Sequence, residues 1–209
     1  MGERQELAGM PVERLETLAD GVFSIAMTLL VLQIVVPAVT EPELVSQLSG
    51  LWPPILIYGI SFVVLGVYWI GHHYIFRVIQ RSNLTLMWIN IVYLMGVAIV
   101  PFCAALLGRY PLTVIANVVY GATLAATAGV AYGMWWYATD RHRLVDPNLD
   151  PALISFVSRR IATGPVASLV AIGLAFVRPE LSILLYALLP PFYIVSVDID
   201  RHYASLPKH

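Results

Sequence analysis

The stretch Arg14-Leu-Glu-Thr-Leu-Ala-Asp20-Gly-Val-Phe-Ser24-Ile25-Ala-Met-Thr28-Leu29-Leu-Val-Leu32 decides the fold class. A charged approach runs into an uninterrupted apolar segment whose hydroxyls recur at helical spacing. Ser24 and Thr28 are four apart, as are Ile25 and Leu29, and Leu32 follows Ile25 by seven. An α-helix brings such positions to one side.

The rest of the chain has the same apolar character. Hydrophobic residues make up 59% and charged residues 12% of the 209, against about 25% charged in ordinary soluble domains. The composition is that of an all-α polytopic membrane protein. A net charge of -1 gives no basic face for nucleic acid. One cysteine, Cys103, leaves no intrachain disulfide and no thiolate metal cluster.

Crossing the hydrocarbon takes about 20 mostly apolar residues. Six stretches free of Asp, Glu, Lys and Arg meet that need: 21–40, 44–76, 82–108, 110–139, 161–177 and 181–197. They predict spans at about 20–40, 52–76, 83–108, 111–138, 158–177 and 181–198, forming one domain over 1–209. Pro53 and Pro54 suit the first turn of the second span, where a missing N–H costs little. Pro101, Pro165 and Pro190-Pro191 predict kinks or a broken last turn.

The positive charges orient these spans. Arg4, Arg14, Arg77, Arg81, Arg141, Arg143, Arg159, Arg160, Arg201 and Lys208 fall on one set of sides, and only Arg109 and Arg178 on the other. The positive-inside rule then makes both termini cytoplasmic, which needs an even number of spans. The acidic approach to the first span (Glu3, Glu6, Glu13, Glu16) and the lack of a small-residue cleavage site argue against a signal peptide.

Each polar residue in or beside a span has two readings. Asp20 either belongs to a carboxylate ring that gathers cations or caps a helix N-terminus. Arg14 can pair with Asp20 or with lipid phosphate. Ser24 and Thr28 either line an axis or bond back to the i−4 carbonyl. Ile25, Leu29 and Leu32, taken singly, read as lipid or core contacts.

His72 and His73, adjacent and therefore about 100° apart on a helix, are poorly placed to share a metal, and no metal site is expected. A His bonded to a neighbouring helix is the expectation, with titration near neutral pH making it a candidate proton-sensitive element. Asn83, Trp88, Asn90 and Asn117 are candidates for interhelical hydrogen bonds, with Asn83 and Asn90 on one face. No arginine ladder for voltage sensing, no Thr-Val-Gly-Tyr-Gly-like filter loop and no enzyme motif occurs. Nor does any carboxylate lie deep within a span.

Asp20-Gly-Val-Phe-Ser24-Ile25-Ala-Met-Thr28-Leu29-Leu-Val-Leu32, Tyr68-Trp69-Ile-Gly-His72-His73, Asn83-Leu84, Trp88, Asn90 and Pro101-Phe102 together resemble the lysosomal/endosomal potassium channels of the transmembrane protein 175 type, in their bacterial single-repeat form. The resemblance covers roughly residues 14–107. The family signature is an Arg, three residues, then Phe-Ser-Asp. Here Arg14 and Asp20 match, while Leu18-Ala19 replaces Phe-Ser. The signature's network holds the pore helix against spans two and three, and Arg14, Asp20, His73 and Asn90 are its candidates here, with Trp69, His72, Asn83 and Trp88 beside them.

The resemblance implies a homotetramer with the first helix of each subunit around a pore, in a bacterial inner (plasma) membrane. Ile25 would form the hydrophobic constriction, Leu29 and Leu32 would continue the apolar wall, and Ser24 and Thr28 would supply polar layers. One chain offers one such stripe, so a pore lined by it requires several chains. A narrow apolar ring closes by dewetting. The expected function is a leak-like, weakly selective channel for potassium and other monovalent cations, with no cofactor and no enzyme activity. The competing readings are a secondary transporter of a small solute or ion, built on the broken spans near Pro101 and Pro165, and a scaffold without transport.

Overall fold

The computed structural model describes residues 11–195. Among them the chain is all helical: α1 (Val12–Leu29), α2 (Glu41–Ser49), α3 (Trp52–Val78), α4 (Leu84–Arg109), α5 (Val114–Thr139), α6 (Pro151–Ala175) and α7 (Pro179–Val195). Four segments are long and apolar enough to cross a membrane: Val12–Gln33, Trp52–Val78, Leu84–Arg109 and Val114–His142. Arg4, Arg201, Lys208 and the end of the sixth expected span, 196–198, lie outside the described residues.

The first span is displaced from its expected bounds. It starts at Val12, behind Pro11 and with Glu13 in the first turn, where an acid complements the helix dipole. It stops at Leu29, followed by a 3-10 turn at Val31–Gln33 and non-helical chain to Thr40. Pro37 keeps helix out of the last part of the expected span, because its ring disfavours helix at Val36 and it has no N–H to donate.

The apolar run 44–76 is two helices, α2 and α3, separated at Gly50-Leu51. Pro53 and Pro54 occupy the first turn of α3 as expected. α6 begins seven residues before the expected 158, since Asp150 caps it by accepting from the Ala152 N–H at 2.8 Å. The helices continue through Pro101, Pro165 and Pro190-Pro191 instead of breaking.

α1 packs on α3 and α4, α4 on α5, and α5 on α6, while α7 closes against α6 and α3. Small residues permit the closest approaches. A Cβ added at Gly121 would collide with the Tyr186 hydroxyl and lie 2.7 Å from Ile172 Cγ1. One at Gly108 would lie 3.0 Å from Pro54 Cα. Because lipid tails are as apolar as leucine, such packing and buried hydrogen bonds hold helices together in a bilayer. Ser61 and Tyr120 bond at 2.9 Å, and the Tyr186 hydroxyl donates to the Asn117 carbonyl at 3.0 Å.

The link between α3 and α4 and the link between α5 and α6 are joined through their backbones. The Gln80 N–H donates to the Leu144 carbonyl at 2.9 Å, and the Leu144 N–H donates to the Ala138 carbonyl at 3.0 Å. This closure requires Arg141 and His142 to take positive φ, 52° and 53°, a conformation that strains side chains with a Cβ.

Candidate functional site

The two sides of α1 differ. Leu15, Ala19, Phe23 and Ala26, with Leu30 just beyond, are buried against the bundle. Leu18, Gly21, Ser24, Ile25, Thr28 and Leu29 face away from it, with Ile25 61% exposed. The expected stripe is therefore on the outside of the single chain. Leu32 is also exposed, at 71%, but it lies in the 3-10 turn and not on α1. The tighter turn offsets its angle from that of a continuous α-helix, while Leu32 stays exposed as Ile25 is.

Ser24 donates to the Asp20 carbonyl at 2.7 Å. Thr28 donates to the carbonyls of Ser24 and Ile25, both at 2.9 Å. Each hydroxyl commits its proton to the backbone and turns oxygen lone pairs outward.

Asp20 is not a cap. Eight residues of helix precede it, and its Oδ1 accepts from the Trp69 indole N–H on α3 at 2.7 Å. One turn earlier on α1, Glu16 Oε1 lies 3.7 Å from His73 Nδ1. Trp69 and His73 stack in turn, with ring centroids 6.3 Å apart. Two acids four apart on α1 thus face two aromatic rings four apart on α3. Arg14 forms no ion pair with Asp20, and none with any other described residue.

Deeper in the bundle His72, not His73, meets Asn90. His72 Nε2 lies 2.9 Å from Asn90 Oδ1, and that arrangement requires the Nε2–H tautomer, with His72 donating. The imidazole is stacked on Phe76 (4.3 Å) and Tyr93 (5.5 Å) and tilted to Phe23 (6.3 Å). The buried Asn90 Nδ2 has no partner.

Asn83 is separate from this cluster. It lies outside α4 as its cap, accepting from the Leu86 N–H at 2.9 Å and donating to the Tyr137 hydroxyl at 2.9 Å. It therefore does not share a helical face with Asn90. Trp88 is exposed and makes no hydrogen bond among the described residues, contrary to the expected interhelical role. Asn117 bonds back to the carbonyls of Pro111 and Thr113, so its amide does not bridge helices. Ala19, where the signature has Ser, is fully buried, whereas Leu18, where it has Phe, is half exposed.

Sequence reasoning missed Glu16, Phe23, Phe76 and Tyr93. Glu16 is one turn from Asp20, and Tyr93 is three residues from Asn90, so helical spacing carried a signal for both.

Residues 14–101 match the family model "Endosomal/lysosomal potassium channel TMEM175". A potassium channel of Streptomyces collinus is 36% identical over 201 residues, 93% of this chain and 98% of the relative. The chain belongs to the TMEM175 family. A potassium channel of Chamaesiphon minutus is 38% identical over 176 residues, covering 81% of this chain and 87% of the relative. The crystal structure of a lysosomal potassium-selective channel TMEM175 homolog from the same organism superposes with a TM-score of 0.77 at 34% identity. That match covers 88% of this chain and 96% of the homolog.

The matched TMEM175 segment runs from Arg14 into α4. It thus contains the outward stripe of α1, the Asp20–Trp69 bond and the His72–Asn90 bond. The family and these relatives are ion channels and not enzymes.

Proposed function

We propose that the chain is one subunit of a potassium-permeable, weakly selective, leak-like cation channel, a homotetramer with α1 of each subunit around the axis. The observation that carries this reading is the outward face of α1. The Ser24 and Thr28 hydroxyls on a membrane-length helix point away from their own bundle, and polar groups at membrane depth are tolerated where they line water. Several copies around an axis provide that water. The naming of relatives as potassium channels gives the permeant ion, and the mechanism calls for no cofactor.

In this reading Ile25 forms the constriction, Leu29 and Leu32 extend its apolar wall, and Ser24 and Thr28 offer oxygen ligands beside it. The chain is a single six-span domain over 1–209, in which α6 and α7 supply the fifth and sixth spans. Both termini are cytoplasmic and the channel sits in a bacterial plasma membrane. The Asp20–Trp69 and Glu16–His73 pairs hold α1 at a fixed rotation against α3, and the His72–Asn90 bond ties α3 to α4.

A potassium-flux assay on the reconstituted protein tests the proposal, with sodium gradients run in parallel. Wild-type flux that increases in Ile25→Asn is the expected result. Absence of flux in both would return the chain to the transporter or scaffold reading.

A further inference from the structure

At the end of the bundle away from the His72 cluster, the 3-10 turn after α1, α2, the start of α3 and the end of α4 enclose a cavity of about 400 Å³. Its polar lining comprises Gln33, Gln47, Tyr58 and Arg109, and its walls include Leu30 and Ala105. Arg109 makes no ion pair among the described residues, and its guanidinium carbon lies 6.0 Å from the Tyr110 ring centroid. None of the Gln33, Gln47 and Tyr58 side chains is hydrogen-bonded among the described residues either. The acids of α2, Glu41 and Glu43, do not line the cavity. One uncompensated cation and three uncommitted polar side chains therefore converge on a pocket with apolar walls.

The depth of the pocket narrows the ligand. Arg109 is the last residue of α4, and the exposed rings of Trp52 and Tyr110 flank it at the start of α3 and the end of α4. Such rings sit at the headgroup level of a bilayer. We propose that this cavity binds one anionic phospholipid, its phosphodiester on the Arg109 guanidinium and the amides of Gln33 and Gln47, with an acyl chain along Ile34, Val35 and Ala105, which also line it. Guanidinium matches phosphate in charge and fork geometry, and the volume is that of a ligand pocket.

Native mass spectrometry of the detergent-purified protein tests this, using phosphatidylglycerol and phosphatidylcholine with identical acyl chains. The expected result is retention of phosphatidylglycerol over phosphatidylcholine. Arg109→Gln should lower phosphatidylglycerol occupancy roughly tenfold, as the loss of a charge-assisted bond requires. Ala105→Phe, which fills the cavity, should also lower it. Arg178→Gln removes the other cation assigned to this side but not in the cavity, and should leave it unchanged. Equal retention of the two lipids, an unchanged Arg109→Gln, an equal loss in Arg178→Gln, or full displacement by inorganic phosphate would each overturn the assignment. Arg109 is exposed, so its variant tests the proposal even if Ala105→Phe fails to fold.

Discussion

Asp20 binds two partners at once: its carboxylate accepts the Trp69 indole N–H across 2.7 Å, and its backbone carbonyl accepts the Ser24 hydroxyl, also at 2.7 Å. The side chain anchors α1 to α3, and the carbonyl orients the first hydroxyl of the outward stripe. Trp69→Phe keeps a ring but removes the donor. Both groups are partly solvated, so the expected loss is about 1.5 kcal/mol, the low end for a bond to a charged group. Asp20→Ala, which removes the acceptor, should cost a similar amount and the double variant little more, because the two changes remove one interaction. Thermal unfolding of the purified variants measures this, and fully additive losses would show that the pair is not coupled.

Ile25→Asn places an amide on the exposed side of α1 without disturbing the buried side. Conductance should rise if Ile25 forms a dewetted ring. Leu32→Asn should have the smaller effect, since Leu32 lies beyond the helix in the 3-10 turn. Single-channel recording compares the two, and a larger response at Leu32 would move the constriction outward.

Thr28→Ala should change the potassium-to-sodium permeability ratio, and Thr28→Ser should preserve it. The Thr28 proton is already given to the carbonyls of Ser24 and Ile25, so only lone pairs remain to replace ion hydration. Reversal potentials under bi-ionic conditions read the ratio. An unchanged value in the alanine variant removes Thr28 from selectivity.

Gly121→Ala should destabilise the bundle by about 1–3 kcal/mol, the usual range for overpacking. The new methyl would meet the Tyr186 hydroxyl and Ile172, and moving Tyr186 would break its bond to the Asn117 carbonyl. Gly129→Ala is the control, because nothing lies within 4 Å of a Cβ there. Size-exclusion profiles after graded heating distinguish them.

Much of the architecture was legible because apolar length and proline placement are local signals. The expected bounds of the third and fourth spans are close to α4 and α5, and Pro53-Pro54 marked the start of α3. The first span was misplaced because its polar first turns, Val12 to Asp20, are helical despite their charge, while the helix stops at Leu29 within an apolar run. The outward stripe was legible as spacing alone. Which histidine meets Asn90 was not, since adjacent residues point about 100° apart and only the rotation of α3 against α4 chooses between them. The Asp20–Trp69 bond joins residues 49 positions apart, and no periodicity within one helix reports such a distance.

The backbone closure between the two links has a practical consequence for labelling. The link between α5 and α6 has the length and charge of an accommodating surface loop, and would be an obvious place to insert a fluorescent reporter or an affinity tag. Its Leu144 carbonyl and amide are both engaged, and two consecutive residues hold left-handed geometry. An insertion there would unseat α3, α4, α5 and α6 together. The stretch from Ala38 to Thr40, which carries no regular helix and does not line the Arg109 cavity, is the better site for a reporter.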